Sequence, residues 1–298
     1  MANKKNTPTG SLLLSKERRL SLSQRYQNTL LLGGTGSGKN VNILLPSAYR
    51  DALITELKTD KESYDGGGMI FFDSFDDMAS ELFQLLKSES NSDKNVDKGD
   101  YRPNQFVLNS KSVTYVSPLD KNCPFINLLS GSEENVILSL LDLIQIVDDT
   151  NKEQASDWLR EVNYQAANYL VKSVIKSDEE LNFHTLFNFV ADLKFRNKVL
   201  DEVGKQDKQL KLKTEDFFKE HSSDLVLLND TLSLFCNYIP FESMFNKHAG
   251  QFELNLNSVI NGNKVLFGGC NTDNKQIFLI YNRIILNLIS EYIDYKGL

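Results

Sequence analysis

Between Asn28 and Pro46 the chain reads NTLLLGGTGSGKNVNILLP, its densest concentration of chemistry-bearing residues. The apolar run Leu30-Leu31-Leu32 enters a turn made of Gly33, Gly34, Thr35, Gly36, Ser37 and Gly38. Lys39 and Asn40 close the turn, and a segment of helical character follows. Strand, glycine-rich loop and helix in that order make a Walker A phosphate-binding loop, G-x-x-x-x-G-K. The glycines allow successive backbone N–H groups to face one concavity, which an anionic phosphate fills. The new helix directs its partial positive end at the same point. Lys39 would then reach the β- and γ-phosphates as a fixed charge. Gly33 to Asn40 are therefore the candidate nucleotide-binding residues, for ATP with Mg²⁺.

The motif departs from its pattern at the final position. A Ser or Thr after the lysine supplies the hydroxyl that ligates Mg²⁺. Here an amide, Asn40, stands in that place. An amide oxygen binds hard cations, but with a geometry less suited to the octahedral demand of Mg²⁺. The departure bears on the rate of hydrolysis more than on phosphate binding.

A second candidate lies at Met69-Ile70-Phe71-Phe72-Asp73, an apolar run ending in an acid. A carboxylate at the end of a parallel strand can support Mg²⁺, since ligands gather at the carboxyl ends of such strands. A buried strand also ends in Asp where that residue caps a following helix, and a helix is expected from Asp76 to Leu86. Both readings of Asp73 stand. Glu81, on that helix, is the candidate carboxylate for positioning an attacking water, beside Lys39 as the charge-neutralising catalytic residue.

The elements that position these groups follow from periodicity. Residues 1–27 read as an N-terminal arm with one short strand at Ser11 to Leu14. Pro46, eight positions past Gly38, should kink or restart the helix after the loop. Residues 51–67 look like a surface excursion, and the polar stretch 88–104 a mobile loop. A further strand is expected at Val113 to Val116, leading to PFINLLSG from Pro124. From Glu133 the period changes to 3.6 residues, with helices over 133–147, 152–176, 179–192, 194–204, 212–220 and 222–238. Trp158 sits on the stripe Trp158, Val162, Ala166, Tyr169 and Leu170 and reads as a packing anchor. Strand character returns at Lys264 to Phe267, before a long amphipathic helix from Lys275. The fold class is α/β: a P-loop NTPase with a mostly parallel sheet and an inserted all-α domain. Its parts are the arm 1–27, the nucleotide-binding part 28–131, the all-α insertion 132–250, and the returning strand and helix 251–298.

Composition bounds the alternatives. The 298 residues suffice for one large domain or about two, with 41% hydrophobic and 24% charged residues as in globular chains. No stretch reaches the ~18 apolar residues of a membrane span. The start, MANKKNTPTGSLLL, lacks the apolar core of a signal peptide. Cys123, Cys236 and Cys270, like His184, His221 and His248, are scattered singly, so no zinc site is expected. A net charge of −7 argues against nucleic-acid binding by overall electrostatics. The local excess of Lys4, Lys5, Lys16, Arg18, Arg19 and Arg25 over Glu17 reads foremost as a solvated arm, and second as contact with a polyanion or acidic partner. A GTPase would need a guanine-reading Asn-Lys-x-Asp, and Asn246-Lys247-His248-Ala249 lacks the acid. A small-molecule kinase gives no reason for a ~100-residue helical insertion.

Taken in order, these segments resemble the type IV secretion coupling proteins, the TraG/TraD-like conjugative DNA-transfer ATPases related to the FtsK and HerA motors. GGTGSGKNVNILLP resembles that family's P-loop segment, Pro46 included. MIFFDSFDDMASEL stands where the family has a strand ending in Asp, then a Lys-Gly-Glu turn and a helix. VTYVSPLDKNCPFINLL resembles a later strand and its Asn-Pro-Leu turn, with Asn127 and Leu128 matching. The helical block matches the family's all-α insertion, and FELNLNSVINGNKVLFGG the strand that follows. Here Ser74-Phe75-Asp76-Asp77 replaces Lys-Gly-Glu, and the membrane helices of most coupling proteins are not seen. The family's Walker B strand, ending Asp-Glu, would follow the last helix, beyond Leu298. The resemblance implies an ATP-binding subunit of a DNA-translocating motor, assembled as a homo-oligomeric ring at the inner face of the cell membrane. Its implied partners are DNA and secretion-channel or relaxase proteins. The expectation is a truncated or split ATPase with a separate Walker B-containing chain, or one in which Asp73 has been recruited. A non-hydrolytic nucleotide-binding assembly module is the alternative.

Overall fold

A computed structural model describes residues 12–13, 19–20, 40–54, 68–92, 105–108, 111–151, 153–270 and 272–296. The chain divides into two compact units, one of residues 1–117 with 255–269, the other of 118–254 with 270–298. It is a mixed α/β protein.

In the first unit, strands β1 (Leu12–Leu13) and β2 (Arg19–Leu20) pair antiparallel, Leu12 opposite Leu20. The helix after the glycine-rich loop is present. It opens as a π-helical turn, Asn40–Leu44, and becomes α-helical as α1, Leu45–Ile54. The change of winding falls one residue before Pro46, which has no N–H to give and cannot sit deep in a regular helix. The Ser47 hydroxyl donates to the Ile43 carbonyl across the junction.

Strand β3 (Met69–Phe72) follows, then helix α2 (Asp77–Ser92) and strands β4 (Gln105–Leu108) and β5 (Lys111–Val116). Strand β6 (Lys264–Phe267) returns after the second unit has been traversed. The sheet order is β3-β6-β5-β4. β6 lies parallel to both β3 and β5, pairing Ile70 and Thr114 with Val265, while β4 is an antiparallel edge. The expected strands at 69–72 and 264–267 match; β4 was not foreseen. Helix α2 also runs to Ser92, into the stretch read as loop. Side chains alternate across β5, so Val113 and Tyr115 face the helices. They join Leu45, Ala48 and Ala52 of α1 and Leu82, Phe83 and Leu86 of α2 in one core. Burying each of these large side chains contributes roughly 1.5–3 kcal/mol.

The second unit is helical: α3 (Glu133–Thr150), α4 (Asp157–Lys176), α5 (Phe183–Ala191), α6 (Leu193–Gln206), α7 (Lys208–Glu220), α8 (Val226–Asn237), α9 (Ile239–Phe245) and α10 (Lys275–Lys296). Polar caps set the starts. Ser132, Ser156, Asn182, Asp192 and Asp207 each accept a backbone N–H from the first turn of the helix that follows. α8 has no such cap of its own. Asn163 of α4, fully buried, supplies one from outside, its Oδ1 accepting the Leu228 N–H at 2.9 Å. Its Nδ2 donates to the carbonyls of Leu159 and Asp224. Val162, Ala166 and Leu170 are buried as the stripe requires, but Trp158 is 58% exposed. The packing-anchor reading fails because Trp158 lies in the first turn, ahead of the part of α4 that packs. α10, which the sequence groups with the returning strand, packs along α3, with Ile280, Tyr281, Ile284 and Ile285 buried. Among the described residues no helix is long and apolar enough to cross a membrane.

Candidate functional site

The three parallel strands end together. β3 leads to Asp73, β5 to Ser117 and β6 to Gly268-Gly269, and crevices at such strand ends are where α/β folds place ligands. Leu30 to Lys39, the strand and glycine-rich loop of the phosphate-binding motif, lie outside the described residues. Of the motif only the backbone of Asn40 is described, as the first residue of the π-helical turn.

Asp73 is buried, and it caps. Its Oδ1 accepts the Phe75 N–H at 3.3 Å, and its Oδ2 accepts those of Met78 at 2.7 Å and Ala79 at 3.3 Å. Its own N–H donates to the Phe267 carbonyl at 2.9 Å, fixing it to β6. Three of its four lone-pair positions are thus occupied, and one on Oδ1 remains. Such a carboxylate could hold Mg²⁺ through a single bond or an intervening water, the usual arrangement where phosphates complete the shell. Among the described residues no group of three or more His, Cys, Asp or Glu side chains is arranged to hold a metal ion. Glu81 lies exposed in the second turn of α2 and takes no part in the hydrogen bonds at the strand ends.

The acid that the site adds is Asp76. It adopts a left-handed conformation, φ 68°, which Asp tolerates better than most residues. Because Asp73 already caps α2, the Asp76 side chain is released from that duty and turns inward. The Tyr115 hydroxyl donates to both its oxygens, at 2.5 and 2.6 Å, and the Ser117 hydroxyl to Oδ2 at 3.2 Å. Tyr115 is held by stacking on Phe83, ring centroids 5.0 Å apart. Burial pushes the Asp76 carboxyl above the usual range against these two hydrogen bonds, with the charges of Asp73 and Asp77 adding to the rise. A carboxyl so raised accepts a proton more readily than a surface aspartate.

The glycines are obligatory here. A Cβ on Gly268 would stand 1.9 Å from Asp76 Oδ1, and one on Gly269 1.8 Å from the Ser74 carbonyl oxygen. Asp76, Tyr115, Ser117 and the glycine pair were not among the residues singled out from sequence. The signals were there: a second acid three residues past the strand, a tyrosine on the inward parity of β5, and two glycines closing β6. Phe75, between the two acids, is 62% exposed at the turn.

The three thiols, Cys123, Cys236 and Cys270, are free and buried in the helical unit. Burial lifts Cys236 to about 12, so it is inert at neutral pH. Compared with models of known protein families and with curated proteins, the chain gives no match.

Proposed function

We propose that this chain is an ATP-binding subunit of a DNA-translocating coupling motor of the kind that serves conjugative transfer through a type IV secretion system. The observation that carries the reading is the join of motif to fold: the segment ending in Gly38-Lys39 continues as helix, and that helix shares one core with a parallel sheet. In this reading Gly33 to Asn40 hold the triphosphate and Lys39 neutralises charge developing on the γ-phosphate. Asp73 supports Mg²⁺ from behind a water, and Asp76 joins Glu81 as a candidate for positioning the attacking water. DNA, secretion-channel or relaxase proteins, and further copies in a ring are the partners proposed. The place of action is the inner face of the cell membrane, reached through those partners.

The test is nucleotide binding and phosphate release by the chain alone and with DNA added. Lys39→Ala should weaken ATP binding by roughly tenfold to a hundredfold, the worth of a charge-assisted contact. Binding without turnover under any partner condition would defeat the motor reading.

A second reading has a specific observation behind it. The Asp73 carboxylate is largely consumed in capping α2, and Asn40 replaces the metal-binding hydroxyl. Both suit a non-hydrolytic assembly module, in which nucleotide changes the oligomeric state without turnover. Sedimentation with and without ATP separates the two, and a Lys39→Ala chain that assembles like the parent argues against the module.

A further inference from the structure

The seam between α4 and α7 carries a row of rings that ends in a hollow lined by lysines. Trp158, the single tryptophan of the chain, meets His221 edge-on at 6.3 Å between centroids. His221 lies 4.7 Å from Phe217, and Phe217 5.2 Å from Tyr169. Beyond Tyr169, Lys172 and Lys176 of α4 and Lys213 of α7 line a hollow of about 510 Å³. Helical spacing makes the arrangement. Residues 165, 169, 172 and 176 fall on one face of α4, and 213 and 217 on one face of α7, with His221 its C-cap.

The charges in the hollow do not cancel. Lys176 pairs with Asp207 at 2.6 Å, and Asp207 also caps α7 by accepting the Leu210 N–H. Glu133 is the other acid at the rim. Among the described residues, Lys172 and Lys213 have no carboxylate partner. In a chain of net charge −7, a concavity with surplus ammonium groups stands beside a ring row whose outer member, Trp158, is 58% exposed and whose other rings are partly buried. Rings offer faces to any base, and lysines offer charge to any phosphate; together they form the stacking platform and funnel of single-strand binding. Duplex DNA hides its base faces and would use only the lysines.

We infer that the α4–α7 face of the helical unit binds single-stranded nucleic acid, with bases against Trp158 and the ring row and phosphates at Lys172, Lys176 and Lys213. This rests on the nucleic-acid half of the proposed function and adds where, and on which strand form, contact is made. The whole chain is titrated, without nucleotide, with a fluorophore-labelled single strand of about 12 nucleotides, a length within the range of single-strand sites. Labelled-strand anisotropy and Trp158 emission are read together. Saturable quenching of Trp158 in step with the anisotropy is expected. Lys172→Glu with Lys213→Glu should weaken binding at least tenfold, and three phosphate contacts should give a log–log salt slope of about −2. Tyr169→Ala should weaken it by about tenfold, with the far-ultraviolet circular dichroism of each variant reporting its fold. Anisotropy that rises while Trp158 emission and the lysine variants stay unaffected overturns this site but leaves DNA as a partner. No binding at low salt overturns both. Equal quenching by an acidic peptide shows an acidic protein surface as the occupant and overturns the nucleic-acid inference.

Discussion

Asp76 shows how a single side chain can be diverted from structure towards chemistry. Burial raises its proton affinity in the folded state above that in the unfolded chain. Between those two values the folded state holds more protons, so stability falls as pH rises through the window. Asp76→Asn keeps an acceptor for Tyr115, suits the left-handed backbone, and removes the buried charge. The variant should melt above the parent at pH 7, by on the order of 1 kcal/mol for a partly screened charge. The gap should close as the pH is lowered towards the ordinary carboxylate range, which thermal melts at several pH values measure. The same variant should lose phosphate release if Asp76 positions water, with ATP affinity unchanged. Gly268→Ala should cost about 1–3 kcal/mol in urea unfolding, the usual penalty of overpacking, because Asp76 blocks the space. Little of this was legible in the sequence. A run ending in Asp announced Asp73, but which of Asp73 and Asp76 caps the helix depends on the left-handed backbone of Asp76 itself. Periodicity carries no information about that.

At the scale of elements, sequence reading succeeds where the pattern is local. β3 and β6 were legible because their apolar runs are bounded by glycines and by Asp73. The helices of the second unit were legible from their period, yet their starts were displaced towards the caps. The helix expected from 152 begins after Ser156, and that expected from 212 begins after Asp207. β4 was missed because four residues with one antiparallel partner leave too short a pattern. The α3–α4 connection depends on Asp148, buried, which accepts the Ala155 N–H at 2.9 Å and the Arg160 Nε–H at 2.7 Å. Asp148→Ala would leave both donors without their partner. A loss of about 1–3 kcal/mol is expected in chemical denaturation, the cost of leaving a buried donor without its acceptor; a loss below ~1 kcal/mol would mean that water replaces the carboxylate.

For the whole molecule, the sequence shows a change of period near Glu133 and a second change at the return of β6, while the two compact units part after residues 117, 254 and 269. What stayed hidden was that α10 packs with the helices, since an amphipathic helix does not announce which core it covers. Nucleotide binding should be visible as protection. ATP at a hundred times its Kd should stabilise the chain by about 2.7 kcal/mol, and Lys39→Ala at the same ATP concentration should cut that gain to about 0.4–1.4 kcal/mol in a thermal melt. The thiols offer a separate readout. All three should resist alkylation at pH 7 in the native protein and react together on unfolding, because all three are buried out of reach of the reagent. The reach of Asn163 from α4 to the bare start of α8 sets an order of events. Until α4 has docked, the first-turn donors of α8 have only water as a partner. Amide exchange at Leu228 should then be as slow as the opening of the whole unit, and Asn163→Ala should slow folding more than it speeds unfolding.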